Sequence, residues 1–385
     1  MTAGNLLQRQ PESYVRSATR NEASGPRSVA VKVVSKHLLK GHEEVVLREI
    51  ETVQGLNHPH IVKLIDWFES KDKFYLVFEE ADGGELFDRL ARGRFTELDA
   101  CRTIHVVLDA IAYMHRHNTV HRDIKPENIL YRTPAEDANI VLVDFGIAAH
   151  LRNKDDQDLR GLCGSVGYAA PEVINRKGHG KQVDIWGLGV VTYAMLCGYA
   201  PFSSADPELF RKQLAHGHIE FHEKYWKSVS PEAIDFVRRC LVLDPEQRIT
   251  ADEALEHPWF KAVLERGHTQ DVSAGLRENY RSKWKTAITA VRATQKFSQA
   301  AEVAQQRDEP SSPLFSDDEE PEFANAQSDT LGDGTEPSGS ATSALGDKAA
   351  EPEAEAVQEG GHMRRSSWGW NSLVSKFHSM YQSGN

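Results

Sequence analysis

The chain has 385 residues, of which 40% are hydrophobic, and its formal net charge is −12. This composition is sufficient for a buried core, and the length predicts two or three domains. The acidity belongs to one segment, because residues 301–361 contain 16 acidic and two basic residues and the remainder carries +2. An acidic chain is not expected to have nucleic acid or an anionic membrane as its main partner.

The cysteines and the apolar stretches indicate the compartment. Four cysteines, at positions 101, 163, 197 and 240, show no paired spacing, and residues 1–14 lack an apolar core of signal-peptide length. We therefore expect a cytoplasmic or nuclear protein rather than a disulfide scaffold or a zinc site. The longest apolar stretch, Trp186 to Phe202, is interrupted by glycines, so it predicts a buried helix and not an integral membrane span.

Strand patterns come first along the chain and helical patterns follow. Runs rich in Val, Ile, Phe and Tyr predict strands at Val29–Val34, Phe74–Phe78 and Ile140–Val143. A helix is expected over Glu44–Leu56, and helical periodicity dominates after Leu86. Few strands followed by many helices indicate an α+β fold with a small sheet-bearing lobe and a larger helical lobe.

Composition divides the chain into regions beyond residue 260. A basic amphipathic pattern follows the globular part, and the next stretch is so rich in Glu, Ala, Ser, Pro and Gly that it cannot bury enough apolar surface to order itself. The final residues are basic and aromatic. The predicted regions are a two-lobed domain over 1–260 (lobes about 1–80 and 81–260), a regulatory segment over 261–300, an acidic disordered linker over 301–361 and a tail over 362–385.

Three ordered motifs carry the chemistry. They are His121-Arg122-Asp123-Ile124-Lys125-Pro126-Glu127-Asn128, then Asp144-Phe145-Gly146, and then Ala170-Pro171-Glu172. In this order and at this spacing they resemble the catalytic loop, the metal-binding turn and the end of the activation segment of protein kinases. The resemblance implies the bilobal protein-kinase fold, with ATP and Mg²⁺ as cofactors.

The resemblance also implies a role for each motif residue. Asp123 would accept or orient the proton of the substrate hydroxyl, and Lys125 would steady the γ-phosphate. Asn128 and Asp144 would hold Mg²⁺, which prefers oxygen ligands. A lysine two residues after the aspartate is the pattern of serine/threonine kinases, so the expected acceptor is a Ser or Thr hydroxyl of a protein.

Upstream residues resemble the nucleotide-binding part of the same family. Lys32, at the end of Val-Ala-Val-Lys, would grip the α- and β-phosphates, with Glu49 as its partner; a surface Lys–Glu pair is the alternative. Phe78 falls at the gatekeeper position. In the connector between the lobes, Glu79 and Ala81 would offer backbone groups to adenine.

Further motifs are typical of the calcium/calmodulin-dependent kinase group. They are Gly83-Gly84-Glu85-Leu86-Phe87-Asp88 and His257-Pro258-Trp259-Phe260. Glu85 and Glu127 would receive basic residues upstream of the target Ser or Thr, with Arg three residues before it; a ribose contact or a solvated charge is the alternative for either. Ser165 would support the reacting residue of the substrate. Asp184 would anchor the catalytic loop, and Arg248 would pair with Glu172.

Two parts of the chain depart from the family pattern. No Gly-x-Gly-x-x-Gly occurs, although glycines let this loop close over phosphates. One alignment puts Gln8, Gln10 and Ser13 at the glycine positions. The sequence favours a second, in which the first hairpin is largely deleted, so we expect weak ATP binding or slow turnover. In addition, Gly161 occupies the position of the usual activating Thr, which removes that phosphorylation site.

A calmodulin-binding segment is expected just after the kinase region. Residues 277–297 carry six basic residues against Glu278, and the segment around Trp284 and Ile288 resembles that of type I calmodulin-dependent kinases. Phe297 lies 13 residues after Trp284, about 140° round a helix, so two calmodulin lobes would grip opposite sides. A helix simply docked on the large lobe is the alternative.

The combined expectation is a serine/threonine kinase that resembles type I and fungal calcium/calmodulin-dependent kinases. The segment from about 262 to 283 would obstruct the substrate cleft until Ca²⁺-loaded calmodulin captures Trp284, Ile288 and Phe297. A catalytically impaired pseudokinase or calmodulin-binding scaffold is the rival, favoured by the missing glycines alone. We expect a monomer. The tail over 362–385 has a helical stripe of aromatic residues that would dock on the kinase, a partner or a membrane surface, or remain a frayed helix.

Overall fold

The structure is a computed structural model of the chain. It describes residues 2–9, 13–22, 25–39, 41, 43–90, 95–151, 159, 163–202, 207–266 and 272. The predicted calmodulin anchors, the acidic linker and the tail over 362–385 therefore lie outside the described residues, as does Gly161.

A five-stranded antiparallel sheet forms the small lobe, in the order β1-β2-β3-β5-β4. Its strands are β1 (Thr2–Arg9), β2 (Ser13–Glu22), β3 (Gly25–Ser35), β4 (Leu64–Glu69) and β5 (Lys73–Glu79). The short α1 (Lys36–Leu39) and the longer α2 (Glu44–Gln54) follow β3. The strands predicted within β3 and β5 and the helix predicted over α2 are confirmed, with ends shifted by a few residues.

The valine-rich run of β3 is explained by burial on both faces of the sheet. Val29, Val31 and Val33 pack with Ala18 and Val77 in a small core on one face. The alternate positions of the strand face the other way, where Val34 joins the main core. A strand covered on both faces needs apolar residues at successive positions rather than strict alternation.

The first hairpin is present, which corrects the prediction that it is deleted. Arg9 pairs with Tyr14 and Gln8 with Val15, and β2 continues in register with β3 from Ser13–Val34 to Glu22–Gly25. The physical reason lies in the sheet itself. One edge of β2 pairs along its whole length with β3, and its other edge would be left with unpaired backbone groups, so the amino-terminal residues pair with that edge as β1. Residues 10–12, between β1 and β2, lie outside the described part of the chain and include no glycine.

The large lobe is built around two long helices. In α4 (Glu97–Arg116), Thr96 and Asp99 form a reciprocal capping box at the start. In α6 (Gln182–Cys197) every residue from Val183 to Cys197 is buried, as expected for this apolar stretch. The other helices are α3 (Leu86–Leu90), α5 (Pro171–Ile174), α7 (Pro207–His216), α8 (Glu223–Trp226), α9 (Pro231–Cys240), α10 (Ala251–Leu255) and α11 (Pro258–Arg266).

Short strands of the large lobe carry the functional loops. The strand β6 (Thr119–Val120) pairs with β9 (Ala149–His150), and β7 (Ile129–Tyr131) pairs with β8 (Ile140–Leu142). Two 3₁₀ turns, Pro126–Asn128 and Val166–Tyr168, lie between them and the helices. Within the described ranges, no helix combines the length and apolarity needed to cross a membrane.

Candidate active site

The loop between β6 and β7 is held by a buried carboxylate of α6. Asp184 accepts hydrogen bonds from the backbone N–H of His121 (2.9 Å) and of Arg122 (2.7 Å), and from Nε2 of His115 (2.9 Å). Burial alone would raise the pKa of Asp184, but these hydrogen bonds and the nearby histidines outweigh burial and lower it. Arg122 has a φ of +67°, which costs strain for a non-glycine residue, and the anchor offsets that strain.

Four predicted residues meet within hydrogen-bonding distance after this anchor. Ser165 donates to Oδ1 of Asp123 (3.0 Å), and Lys125 donates both to the same carboxylate and to Oγ of Ser165 (2.9 Å). Nδ2 of Asn128 donates to the backbone oxygen of Asp123 (2.8 Å) and to its Oδ2 (3.0 Å). The carboxylate of Asp123 is therefore fixed in orientation by three side chains.

Lys125 stays charged in this setting. Burial alone would lower the pKa of its ammonium group, but the hydrogen-bonded carboxylate of Asp123 outweighs burial and raises the pKa. The site therefore offers a cation beside a carboxylate, with only a small fraction of either side chain exposed. Such a pair can hold a hydroxyl and neutralise phosphate charge in the same place.

A second cluster joins the two lobes. Nζ of Lys32, on β3, lies 2.6 Å from Oε1 of Glu49 on α2 and 3.3 Å from Oδ1 of Asp144, which follows β8. Burial alone would lower the pKa of Lys32, but the two carboxylates outweigh burial and raise it. A Cβ added at Gly146 would lie 3.0 Å from this Nζ, so the glycine keeps space for the lysine.

The packing around Asp144 supports this arrangement. Asp144 has a φ of +64°, and the next residue, Phe145, is buried against the ring of His121 at a centroid distance of 4.8 Å. The aromatic contact ties the turn after β8 to the loop after β6. Both carboxylates, Asp123 and Asp144, are thus carried by segments that pack on each other.

The connector between the lobes lies where the sequence predicts it. Phe78 is buried near the end of β5, and Glu79 is its last residue. The side chain of Glu79 is engaged by protein groups: it accepts from the backbone N–H of Lys63 (3.0 Å) and pairs with Arg132. A role of Glu79 in nucleotide binding is thereby restricted to its backbone, and Ala81 follows in the same connector.

The candidate substrate-binding carboxylates lie on two different segments. Glu85 precedes α3 and bridges to Leu130 of β7 through the backbone, and Glu127 is in the 3₁₀ turn that ends at Asn128. Gly83 allows this connection, because an added Cβ would lie 2.2 Å from the carbonyl oxygen of Thr133. The predicted pairing of Arg248 with Glu172 is also present, with N–O distances of 2.7 and 3.0 Å and both residues buried.

The activation segment is only partly described. Nε of Arg122 donates to the backbone oxygen of Ile147 (2.6 Å), and Cys163 lies beside Nε2 of His179 at 3.7 Å. Burial raises the pKa of the Cys163 thiol, which makes it a poor nucleophile.

The donor set fits a hard divalent cation. Asp144 offers carboxylate oxygens, and Asn128 offers its amide oxygen because its Nδ2 already donates twice to Asp123. Among the described residues no group of three or more His, Cys, Asp or Glu side chains could hold a metal alone. Two oxygen-donating side chains suit Mg²⁺, which usually takes few protein ligands and shares substrate phosphates.

One contact at the connector has no signal in the sequence. Arg132, just after β7, pairs with Glu79 and donates to the backbone oxygen of Pro59 at 2.7 Å. These partners are separated from it by more than 50 positions, and no motif links them to Arg132. The arginine joins the large lobe to the end of β5 and to the chain before β4.

Comparison with known proteins agrees with this geometry. Residues 13–260 match the protein kinase domain family, which is well over half of the chain, and the chain belongs to that family. It is 50% identical over 273 residues to the calcium/calmodulin-dependent protein kinase cmkA of Emericella nidulans; the match covers 67% of this chain and 66% of that protein.

Two further relatives carry the same group name. The calcium/calmodulin-dependent protein kinase of Metarhizium anisopliae is 47% identical over 272 residues, covering 66% of this chain and 71% of the relative. The human type 1B calcium/calmodulin-dependent protein kinase is 42% identical over 274 residues, covering 70% and 79%. The chain is accordingly a serine/threonine protein kinase of the calcium/calmodulin-dependent family.

Proposed function

We propose that this chain transfers the γ-phosphate of ATP to Ser or Thr of proteins, and that Ca²⁺-loaded calmodulin switches it on. The observation that carries the catalytic part is the meeting of two clusters on segments that pack together. One is Asp123 with Lys125, Asn128 and Ser165, and the other is Lys32 with Glu49 and Asp144. Phosphoryl transfer needs such placement of charge more than covalent chemistry.

The nucleotide side of the site uses Lys32. Its ammonium group, held by Glu49, is placed to bind the α- and β-phosphates, while the backbone at Glu79 and Ala81 receives adenine. Asn128 and Asp144 hold Mg²⁺ through oxygen atoms. When bound, Mg²⁺ neutralises charge on the phosphate oxygens.

The substrate side uses Asp123, Lys125 and Ser165. Asp123 accepts the proton of the attacking hydroxyl, and its orientation is supported by the hydrogen bonds from the Asn128 amide and the Ser165 hydroxyl. Lys125 remains charged and stabilises the transferring phosphate. Glu85 and Glu127 select substrates with basic residues upstream, with Arg three positions before the acceptor.

Regulation is assigned to the segment after α11. The basic stretch over 277–297, with Trp284, Ile288 and Phe297 as anchors, suits the acidic grooves of calmodulin. The names of the relatives support this partner. Val272 supports a docked segment, because its N–H donates to the carbonyl oxygen of Phe95 (2.8 Å) and its side chain is buried on the kinase.

The turn between β1 and β2 favours weaker ATP binding than in kinases with glycines there. Gln10, Pro11 and Glu12 occupy it, and Pro11 has no N–H to offer a phosphate. If this effect is extreme, the chain is a calmodulin-binding scaffold instead of an enzyme.

A peptide phosphorylation assay with and without Ca²⁺/calmodulin tests both parts. The full chain should phosphorylate an Arg-x-x-Ser peptide only with calmodulin, Asp123→Asn should abolish the activity, and Asp72→Asn, an exposed control, should not. Full activity without calmodulin that is unchanged on deletion of the residues after 270 contradicts the switch. Calmodulin binding without any phosphorylation identifies the scaffold.

A further inference from the structure

Two neighbouring residues of the large lobe hold the two ends of the connector. At the far end, Gly83 donates its N–H to the carbonyl oxygen of Tyr131, and Tyr131 donates its own N–H to that of Gly84, each at 3.0 Å. At the near end, the guanidinium of Arg132 donates to the carboxylate of Glu79. The part of the connector between these ends is therefore held at both sides by consecutive residues at the end of β7.

The near end of the connector is fixed to the small lobe as well. Glu79 donates its backbone N–H to the carbonyl oxygen of Lys63 (3.0 Å), and its Oε1 accepts the N–H of Lys63 (3.0 Å). Oε2 of Glu79 is the atom that pairs with Arg132, so both carboxylate oxygens are used. The same guanidinium donates from Nη2 to the carbonyl oxygen of Pro59 at 2.7 Å. Arg132 thus bridges three segments.

These contacts require the shape of an arginine. Nη1 and Nη2 donate to acceptors on two different segments, and a planar guanidinium serves both at once. A lysine ammonium is a point charge on a flexible stem, so it does not hold two acceptors in a fixed plane. The side chains of Arg132 and Glu79 are 29% and 14% exposed, so solvent screens the pair only in part.

The β7–β8 hairpin carries the candidate metal ligands at its other end. Asn128 immediately precedes β7, Asp144 follows β8 by two residues, and the N–H of Val143 donates to the carbonyl oxygen of Asn128 at 3.0 Å. Arg132 immediately follows β7, and its N–H donates to the carbonyl oxygen of Asn139 at 2.8 Å. At the rise of a strand, the four residue steps from Asn128 to Arg132 span about 13 Å. One short, paired hairpin therefore joins Arg132 to the metal ligands.

Backbone contacts hold the hairpin to the small lobe without fixing the connector. The N–H of Val62 donates to the carbonyl oxygen of Leu142, and the N–H of Leu142 donates to that of His60, each at 2.9 Å. These bonds join β8 to the chain before β4. The link from the near end of the connector to the hairpin is made by the side chain of Arg132.

A nucleotide has to contact both parts of this arrangement at once. In the proposed function, adenine meets the backbone at Glu79 and Ala81, whereas Asn128 and Asp144 hold Mg²⁺ beside the phosphates. The spacing between the connector and the metal ligands then decides whether both ends of one ATP molecule fit together. A displacement of about 1 Å is enough to matter for such a fit.

We propose that Arg132 is a positioning residue for ATP, whose guanidinium sets the spacing between the connector and the residues that hold Mg²⁺. The proposal rests on the proposed function and deepens it by naming what fixes the two parts of the nucleotide site relative to each other. Arg132 needs no contact with the nucleotide, because it acts through Glu79 and through the β7–β8 hairpin.

Fragments of the nucleotide separate spacing from damage to either part. Displacement of trinitrophenyl-ATP from the full chain with Ca²⁺/calmodulin gives the affinity of Mg·ATP. It also gives the affinity of adenosine, which needs the connector alone, and of magnesium triphosphate, which needs only the phosphate-binding part. Arg132→Gln should weaken Mg·ATP about three- to tenfold and should change either fragment less than about twofold. Arg132→Lys should weaken Mg·ATP to a similar extent, because charge alone does not fix the spacing.

The matched control is Arg116→Gln. It removes an exposed guanidinium of the large lobe that pairs with Asp252, the two side chains being 54% and 62% exposed, and it should change none of the three affinities. Unchanged Mg·ATP affinity in both Arg132 variants overturns the proposal. An equal loss of adenosine affinity also overturns it, because Arg132 would then only shape the connector. If Arg132→Gln does not fold, Arg132→Lys, which keeps a charge beside Glu79, gives the same comparison.

Kinetics with a peptide substrate add a readout that a purely structural role would not give. The folded Arg132 variants should show a raised KM for ATP and an unchanged KM for the peptide, and an equal rise in both contradicts the proposal. A wild-type chain that binds Mg·ATP but phosphorylates no peptide refutes the proposed catalysis, while the fragment affinities still decide the role of Arg132. A wild-type chain that binds no nucleotide overturns both.

Discussion

The Lys32–Glu49 pair makes the most direct test of the site. We consider Glu49→Gln, which keeps the shape of the side chain and removes its charge. The side chains of Lys32 and Glu49 are 8% and 6% exposed, and the atoms Nζ and Oε1 are 2.6 Å apart. Removing one partner of a buried pair usually costs about 3–5 kcal/mol of stability, because the other charge is left without compensation.

Asp144 changes that expectation. Its Oδ1 lies 3.3 Å from Nζ of Lys32, so it compensates the lysine after Glu49 is neutralised. With an effective dielectric constant of about 20, the Coulomb energies of the two contacts are about 6 and about 5 kcal/mol, which are nearly equal. We therefore expect Glu49→Gln to cost only about 1–2 kcal/mol of folding free energy. We expect the lysine instead to close on Asp144, the carboxylate proposed above as a Mg²⁺ ligand.

The loss should accordingly appear in nucleotide binding and catalysis. We expect kcat/KM to fall about 30- to 100-fold, which corresponds to about 2–3 kcal/mol, with a raised KM for ATP. Denaturation in urea gives the stability, and displacement of a fluorescent nucleotide gives the ATP affinity. Glu51→Gln is the control, because it removes a charge from the same helix without contacting Lys32. A Glu49→Gln variant that matches Glu51→Gln in ATP affinity and kcat/KM would refute the reasoning.

Three further predictions concern stability and thiol chemistry. Asp184→Asn should lower the free energy of unfolding by about 2–4 kcal/mol at pH 7, because the carboxylate accepts three hydrogen bonds. The pKa of Asp184 in the folded protein lies below the unfolded value of about 3.9, so the stability that its carboxylate contributes is present above that pH and is lost as the pH falls through the folded pKa. In urea denaturation, the difference in unfolding free energy between Asp184→Asn and wild type should therefore narrow below about pH 4. Gly83→Ala should cost about 2 kcal/mol or more of unfolding free energy and lower the melting temperature, because the new Cβ would lie 2.2 Å from the Thr133 oxygen. The control Gly55→Ala should not lower the melting temperature, because its Cβ would meet atoms no closer than 3.8 Å. Ellman's reagent at pH 8 should modify the partly buried Cys163 slowly, and the buried thiols of Cys101, Cys197 and Cys240 more slowly still, because burial raises the pKa of all four thiols. Rapid modification of all four thiols without denaturant would contradict this burial.

The helices and strands could be predicted from the sequence wherever the local periodicity of apolar residues matches their burial in the fold. The valine run of β3 and the continuous apolar run of α6 are buried as expected, because period and hydrophobicity point to the same element. The first hairpin could not be predicted in this way. It lacks the glycine pattern by which such a hairpin is recognised, and β1 forms because β2 leaves an open edge, a property of the assembled sheet.

The candidate site shows the same division. The resemblance of the motifs to those of protein kinases implied that Asp123, Asn128 and Asp144 belong to one site, and the contacts of Asn128 with Asp123 and of Lys32 with Asp144 agree with it. The partner of Lys32 was also expected. The pairing of Arg132 with Glu79 was not expected, because no motif links the two residues and only packing of the β7–β8 hairpin against the chain before β4 brings them together.

The sequence by itself determined the kind of chemistry. The motifs, by their resemblance to those of protein kinases, imply which residues serve one site, and within the loop from Asp123 to Asn128 the short separation along the backbone lets Lys125 and Asn128 reach the same carboxylate. Only the tertiary structure decided two further contacts. Lys32 pairs with both Glu49 and Asp144, and Val272 is hydrogen-bonded to Phe95. Those contacts join segments that are distant along the chain, and their geometry depends on how whole elements pack rather than on any single stretch of residues.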